Sequence, residues 1–219
     1  RTRISDRFRN PQLLGTGGFG SVYSCDDLKF GRRVALKLYR RTLGNFSDYS
    51  FVEFEVARHC APHANIVFVA QRWAFAAEGE AAPPQSPDAS AAEAASAKAW
   101  AAILEEHHST ALVMEECAGG CLEALCKQRK GRPLPAAQAR SLMLTMARAL
   151  QCMHKRGYMH RDVALRNFFL DASCTAAKLG DFGEGRELAR DGVSQTPTGS
   201  SHRVAPEAKC EENAVRTVQ

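Results

Sequence analysis

Between Leu13 and Leu38 short apolar segments alternate with glycines and charges. Ser21-Val22-Tyr23-Ser24 and Val34-Ala35-Leu36-Lys37-Leu38 read as strands joined by a polar turn near Asp26 and Asp27. From Ser47 the period becomes helical: Phe51, Phe54, Ala57 and Cys60 share one face, Ser47 or Asp48 is available as a cap, and Pro62 ends the run. Ile66 to Phe75 and Ala111 to Glu115 return to a strand pattern. Gly119-Gly120 then breaks the chain before a short helix from Cys121 to Lys130, closed by Gly131. In the longer amphipathic helix that follows, Ala139, Leu142, Met143, Met146, Leu150 and Met153 recur every three or four residues, between Pro135 at the start and Gly157 past the end. Its methionines read as core packing. The pattern predicts an α+β protein with a strand-rich first half and a helix-led second half, and a cleft between two such lobes is the natural ligand site.

Residues 76–102 break the pattern. Ala, Glu, Pro and Ser dominate, and Pro83-Pro84 with Pro87 forbids a single continuous helix. The stretch reads as a low-complexity insertion in a surface loop between strands, part of Ala89 to Leu104 being helical. Such an insertion costs little closure entropy, so it reads either as tolerated length or as a docking tail.

Composition narrows the function classes. The 219 residues are 45% hydrophobic and 24% charged, which suits a globular chain with a sizeable core. The net charge of +5 is spread without a block of Lys and Arg, the pattern of a solvated surface rather than a nucleic-acid interface. The eight cysteines form no C-x-x-C pair and lie mostly in apolar runs, so buried reduced thiols and a cytoplasmic setting are expected, for the chain itself or as the cytoplasmic portion of a larger protein. No apolar run is long enough to span a membrane, and the start at Arg1 carries no signal pattern. Because Arg1 is not an initiator methionine, the chain is expected to be an excised piece or an incomplete gene product.

Three segments carry chemistry. Leu14-Gly15-Thr16-Gly17-Gly18-Phe19-Gly20-Ser21-Val22 contains G-x-G-x-x-G-x-V, in which glycines let backbone amides approach phosphate oxygens. A strand follows it rather than a helix, which favours a glycine-rich hairpin over a dinucleotide fold. Seventeen residues beyond Gly20, Lys37 is the one cation in an apolar strand, and a carboxylate on the next helix could orient it toward phosphates. Glu53 and Glu55 compete for that role, about 200° apart around the helix; Glu53 is preferred because Phe54, Ala57 and Cys60 then fall where a packed helix needs them. In the second half, His160-Arg161-Asp162-Val163-Ala164-Leu165-Arg166-Asn167 is followed, fourteen residues after Asn167, by Asp181-Phe182-Gly183. Phosphoryl transfer needs a base near the acceptor, oxygen ligands for magnesium and positive charge over the transferred group. Asp162, Asn167 with Asp181, and Lys37 can supply these.

With Ala205-Pro206-Glu207, these motifs resemble in kind, order and spacing the eukaryotic-type protein kinase catalytic domain, from about Phe8 to Ala208. The resemblance implies a bilobal kinase-like fold: residues 1–117 as a β-rich N-lobe with one helix and the hinge, residues 118–219 as an incomplete helical C-lobe. It implies ATP and Mg2+ as cofactors and a protein as substrate. Asp162 would be the catalytic base, Lys37 and Glu53 the phosphate-placing pair, and Asn167 and Asp181 the metal ligands. Leu14, Gly15, Gly17, Gly20, Val22, Ala35, Lys37 and Phe169 would surround the nucleotide, Glu115 and Cys117 would contact adenine through their backbone, and Met114 would stand beside the pocket as gatekeeper. Phe169 replaces the family's usual leucine. Cys121, after the hinge, reads as an inert half-exposed thiol rather than a reactive one.

Ala164 and Arg166 look like the tyrosine-kinase variant of the catalytic loop, whereas Gly199 to Glu207 aligns with serine/threonine and tyrosine-kinase-like enzymes. Ser200 replaces Thr there and Arg203 replaces an aromatic. The chain therefore resembles the tyrosine-kinase-like group, with the acceptor hydroxyl open. Arg161 is suited to hold a phosphate on Thr196, or on Ser194, Thr198 or Ser201. Only twelve residues follow Glu207, where a whole kinase continues with several helices, so a truncated catalytic domain is expected. A nucleotide-binding pseudokinase or regulatory scaffold is the alternative function, and a small-molecule phosphotransferase is disfavoured by the A-P-E segment.

Overall fold

In a computed structural model of the chain, residues 3–40, 47–75, 90–104, 107–187, 193–194 and 216–217 are described. They fall into two units, Arg1–Phe51 with Val69–Glu116 and Val52–Phe68 with Cys117–Gln219.

The first unit is built on an antiparallel sheet. Its strands are β1 (Phe8–Thr16), β2 (Gly20–Asp27), β3 (Arg32–Arg40), β4 (Val69–Ala74) and β5 (His107–Glu115), in the order β1-β2-β3-β5-β4. A short helix α1 (Ile4–Arg7) precedes the sheet. Val34 to Tyr39 of β3 are all buried, so both faces of the strand are covered. Val34, Leu36 and Leu38 gather on one face with Cys25, Ala111 and Val113, and there they meet Ile4, Phe8, Phe75, Trp100 and Leu104. Beside this cluster Arg7 forms a bidentate pair with buried Asp27, Nη2 to Oδ2 2.8 Å and Nε to Oδ1 3.0 Å, while its Nη1 donates to Gln71 at 2.9 Å. That one side chain ties α1 to β2 and β4.

Trp100 and Leu104 come from α3 (Ala91–Leu104). The helix expected within Ala89 to Leu104 runs from residue 91 to 104, and instead of lying in a surface loop it has Ser96, Ala97, Trp100 and Leu104 buried; residues 76–89 lie outside the described residues. Ala-rich composition hid a core element, because alanine supplies helix propensity without an apolar stripe strong enough to read.

The second unit carries most of α2 (Ser47–Cys60), α4 (Leu122–Gln128), α5 (Ala136–Lys155) and short two-stranded pairings. β6 (Tyr158–Met159) pairs with β9 (Arg186–Glu187), and β7 (Phe168–Leu170) with β8 (Ala177–Leu179). The strand expected from Ile66 starts only at Val69, because Ile66 bridges Leu179 and the Val67 amide donates to the Leu179 carbonyl. The connector glycines pack against β7: Gly119 N donates to Leu170 O and Leu170 N to Gly120 O.

Two helices differ from their expected faces. In α2 the buried residues are Ser50, Glu53, Val56, Ala57 and Cys60, while Phe51 is 55% exposed and Phe54 half-buried, so the stripe is rotated toward the carboxylate. In α5 Leu142, Ala149, Cys152 and Met153 are buried, but Met143 is 69% exposed and does not pack in the core, since it lies about 100° around the helix from Leu142. Burial pushes the thiols of Cys25 and Cys60 up, to about 12 and about 11, and the described cysteines are unbridged. No described helix is long and apolar enough to cross a membrane.

A Cβ added at Gly119 would sit 2.2 Å from the Asp171 carbonyl oxygen, whereas one at Gly17 would meet nothing within 4 Å. Gly119→Ala is therefore expected to cost about 1–3 kcal/mol of stability and Gly17→Ala less than about 0.5 kcal/mol, read from urea unfolding midpoints. Equal midpoints for the two variants would contradict this packing.

Candidate functional site

In the first unit, strand register collects the candidate residues. Val22 stands opposite Lys37, Ala35 opposite Met114 and Lys37 opposite Leu112, so Val22, Ala35, Lys37 and Met114 share the face that the apolar cluster does not occupy. Ala35, Lys37 and Met114 are buried and Val22 is half-buried. The Lys37 ammonium lies 5.5 Å from the centroid of the Tyr39 ring, two residues along the same face. Glu115 falls opposite Val34, on the other face, so its side chain does not join Ala35, Lys37 and Met114.

The glycine hairpin closes by a 2.8 Å bond from Gly17 N to Gly20 O. Gly15, Gly17 and Gly18 have open space where a Cβ would be, which leaves their backbone approachable, and Leu14 is 54% exposed beside them. Gly20 has a different reason to be glycine: its Cβ would lie 1.9 Å from the Leu38 carbonyl oxygen, so β2 could not close on β3. At the far end of the sheet Ser24 Oγ donates to Glu116 at 2.6 Å and Arg33 pairs with Glu116 at 3.5 Å, which anchors the residue following Glu115.

In the second unit, the loop from His160 to Asn167 and the turn at 180–183 form one hydrogen-bonded body. His160 Nε2 lies 3.0 Å from Gly180 O, and the Asp162 amide donates to His160 Nδ1 at 3.3 Å. Both ring nitrogens are thus used by a neutral imidazole with its proton on Nε2. Burial is the main cause that holds His160 below its ordinary value, outweighing its bond to Gly180 and the Asp181 and Asp162 carboxylates, which act the other way. Asn167 donates from Nδ2 to the Asp162 carbonyl (2.8 Å) and to Oδ2 (2.9 Å), and Gly180 N donates to Asn167 O at 3.0 Å. Arg166 Nη2 reaches both carboxylate oxygens of Asp162, at 2.8 and 2.7 Å. Asp181 holds the left-handed backbone conformation, φ 61°, and buried Phe182 packs edge-on against His160 with centroids 5.5 Å apart.

The second unit therefore brings together Asp162, Asn167 and Asp181, and the first brings together Val22, Ala35, Lys37 and Met114. Glu53 is buried in α2, while Glu55 points to the surface side, where Arg58 bonds it at 2.8 Å and holds its carboxyl below the ordinary range. Phe169 is half-buried and its ring touches the place where Gly180 lacks a Cβ, at 3.0 Å from Cε2. Cys117 is half-buried. Thr196, Thr198, Ser201, Ala205, Pro206 and Glu207 lie outside the described residues, as does the Ser194 side chain. Two contributors escaped the sequence reading: the direct bond of Arg166 to Asp162, signalled only by i, i+4 spacing in a loop, and Gly180, whose neighbours in space are remote in sequence.

The donor chemistry fits a hard cation. Asn167 spends its amide hydrogens on Asp162, which turns its oxygen away from that residue, and Asp181 adds a carboxylate.

Comparison with known proteins gives a family match described as "Protein kinase domain" over residues 8–217. The chain is 31% identical over 210 residues to probable serine/threonine-protein kinase zyg-1 of Caenorhabditis briggsae, covering 94% of this chain and 24% of that protein. It is 27% identical over 212 residues to serine/threonine-protein kinase PknB of Mycobacterium tuberculosis, covering 94% and 29%. It is 35% identical over 97 residues to serine/threonine-protein kinase Nek4 of Mus musculus, covering 44% and 12%. The chain thus spans less than a third of the length of these curated relatives.

Because the folded state depresses the His160 pKa, its stabilisation is complete above the ordinary value of 6.5 and is lost as pH falls through the folded value. Urea midpoints are expected to fall from pH 7 toward pH 5, and the fall to be shallower in His160→Asn, which cannot titrate. Parallel pH profiles for the two proteins would show that another group governs the acid limb.

Proposed function

The chain belongs to the protein kinase family, and on that premise we propose that it transfers the γ-phosphate of ATP to a hydroxyl of a protein substrate. The observation that carries this reading is the oriented Asp162: a carboxylate fixed by Asn167 and Arg166, within one hydrogen-bonded body with the turn that presents Asp181.

In the proposed reaction the acceptor oxygen attacks the γ-phosphorus, the bond to the ADP oxygen breaks, and the acceptor proton passes to Asp162. Lys37 holds phosphate oxygens, and Glu53 rather than Glu55 orients Lys37; burial of Glu53 and the Arg58 bond of Glu55 support that choice. Asn167 and Asp181 would hold Mg2+, which, when bound, offsets charge on the phosphates. Gly15, Gly17 and Gly20 border the phosphates. Leu14, Val22, Ala35, Met114 and Phe169 line the adenine, with the backbone of Glu115 and Cys117 as its polar contacts. Residues 1–117 act as N-lobe and hinge and residues 118–219 as part of a C-lobe. Presence of the whole residue set favours an enzyme over a pseudokinase scaffold.

A serine or threonine acceptor is supported by the names of the relatives. Tyrosine is the second reading, because Ala164 and Arg166 stand in the catalytic loop and Arg166 bonds the base directly. Assignment to the tyrosine-kinase-like group rests on the same loop and on residues 199–207. Protein rather than nucleic acid is the proposed partner and the cytoplasm the proposed setting, from the dispersed charge and from cysteines that form no C-x-x-C pair and lie mostly in apolar runs.

With Mg-ATP and a mixed peptide array, the intact protein is expected to yield phosphopeptides, and the labelled residue identifies the acceptor. Asp162→Asn should lower kcat by about 10²- to 10⁴-fold while ATP still raises the melting temperature. Unchanged turnover in that variant would remove Asp162 as the base. Glu53→Gln should reduce kcat/KM at least about tenfold and Glu55→Gln should not; the reverse order would transfer the pairing role to Glu55.

A further inference from the structure

Strand β1 departs from regular pairing before it reaches the glycine hairpin. Arg9 pairs with Asp26 and Gln12 with Ser24, so Asn10 and Pro11 oppose Cys25 alone, a one-residue bulge. Asn10 sits at φ 51°, a conformation disfavoured for a residue with a Cβ and more so before proline. Strained backbone of this kind persists only where its surroundings over-determine it.

Helix α3 supplies three of those surroundings. The Trp100 indole Nε1 donates to the Phe8 carbonyl at 2.9 Å, the Asn10 amide donates to Ser96 Oγ at 3.1 Å, and Arg9 pairs with Glu93 at 3.2 Å. These contacts fall on three consecutive residues of β1, at i, i+3 and i+7 of one helical face: Glu93, Ser96 and Trp100. Trp100 and Ser96 are buried; the Trp100 bond lies out of water, where loss of one partner is felt in full, and the Ser96 bond is part-buried. The Trp100 ring also meets Tyr23 edge-on at 6.0 Å, and Tyr23 is the β2 partner of Leu13. A fourth bond, Asn10 Nδ2 to Asp26 at 2.8 Å, fixes the bulge from the β2 side.

We infer that α3 sets the register of the glycine-rich hairpin, and that Trp100 and Ser96 are positioning residues for the nucleotide. The bulge decides how Gln12 and Leu13 face the sheet, because a one-residue slip reverses every side chain; a second irregularity, between Leu13 and Gly15, then carries the pairing on to Gly15 opposite Val22 and Thr16 opposite Ser21. Without the bulge Gln12 and Leu13 would be displaced by one position against β2, immediately before the second irregularity and the glycines that follow it. The helix thereby acts on nucleotide affinity without touching the nucleotide. This inference rests on the proposed ATP reading for its kinetic consequence, but the structural part stands apart from it.

The test uses the intact protein with Trp100→Phe, which keeps the ring and removes the N–H, together with Ser96→Ala and Ser96→Thr. Amide hydrogen exchange across residues 8–16 without nucleotide is expected to quicken by about tenfold in Trp100→Phe and Ser96→Ala. The KM for ATP should rise several-fold, with kcat and the peptide KM within about twofold of the parent. Ser96→Thr, which retains a hydroxyl, should restore both readouts. Exchange at the parent rate in both variants overturns the register role. Faster exchange with an unchanged ATP KM, or equal losses in kcat and peptide KM, overturns the positioning role. If the parent itself transfers no phosphate, the proposed function fails, while the exchange arm still decides whether α3 holds the strand. Should Trp100→Phe fail to fold, the Ser96 pair carries the test.

Discussion

Strand β3 must bury both of its faces at once, and the first unit is organised around that demand. With a side-chain period of two, Val34, Leu36 and Leu38 enter one apolar cluster while Ala35 and Lys37 take the other side. A slip of one residue would drive the Lys37 ammonium into the layer containing Trp100 and Leu104, where an unpaired charge costs several kcal/mol (~). The apolar layer and the direction of Lys37 are therefore a single constraint. Helix α3 belongs to it because two of the large side chains in that layer are its own.

The second unit meets a different demand, that of keeping several polar groups out of water without leaving them unsatisfied. His160 uses both ring nitrogens, Gly180 both its amide and its carbonyl, and Asn167 bonds main chain and side chain of Asp162. Each bond fixes a group that makes the next, so the loop and the turn at Asp181 move together or not at all. The left-handed conformation of Asp181, worth roughly 1–3 kcal/mol of strain, is tolerated inside such a body. Fixed orientation here depends on a neutral histidine, which links geometry at the site to pH.

Much of this was legible along the chain. Short apolar runs bounded by glycines and charges located β2, β3 and β5, and the candidate segments were readable because their residue types stand at fixed spacing for chemical reasons. Packing of α3 was not legible: Trp100 and Leu104 are its only large buried side chains, and alanine spacing between them carries no period. The face of α2 was misjudged because Phe51 and Phe54 outrank Glu53 on any hydrophobic scale, yet the buried stripe follows the carboxylate. Exposure of Met143 has a similar origin, since a pattern of three and four cannot distinguish the centre of a stripe from its edge. Gly20 and Gly119 looked like loop residues and are instead places where two backbones nearly touch.

On the proposed reading of Asp162 as the base, its contact with Arg166 bears on what kind of base it would be. A guanidinium that reaches both oxygens orients a carboxylate and does not make it more basic. Strong basicity is not what phosphoryl transfer demands, because in a loose transition state charge resides on the transferred oxygens and the acceptor proton leaves late. Correct aim is worth more, as a misplaced acceptor forfeits the advantage of proximity. Ala164, small and buried, leaves Arg166 as the loop cation bonded to Asp162, so charge and aim reside in one side chain. On the proposed reading, an arginine there would alter the room for an acceptor by moving the base with it, so the acceptor preference would belong to the Arg166–Asp162 pair rather than to either residue alone.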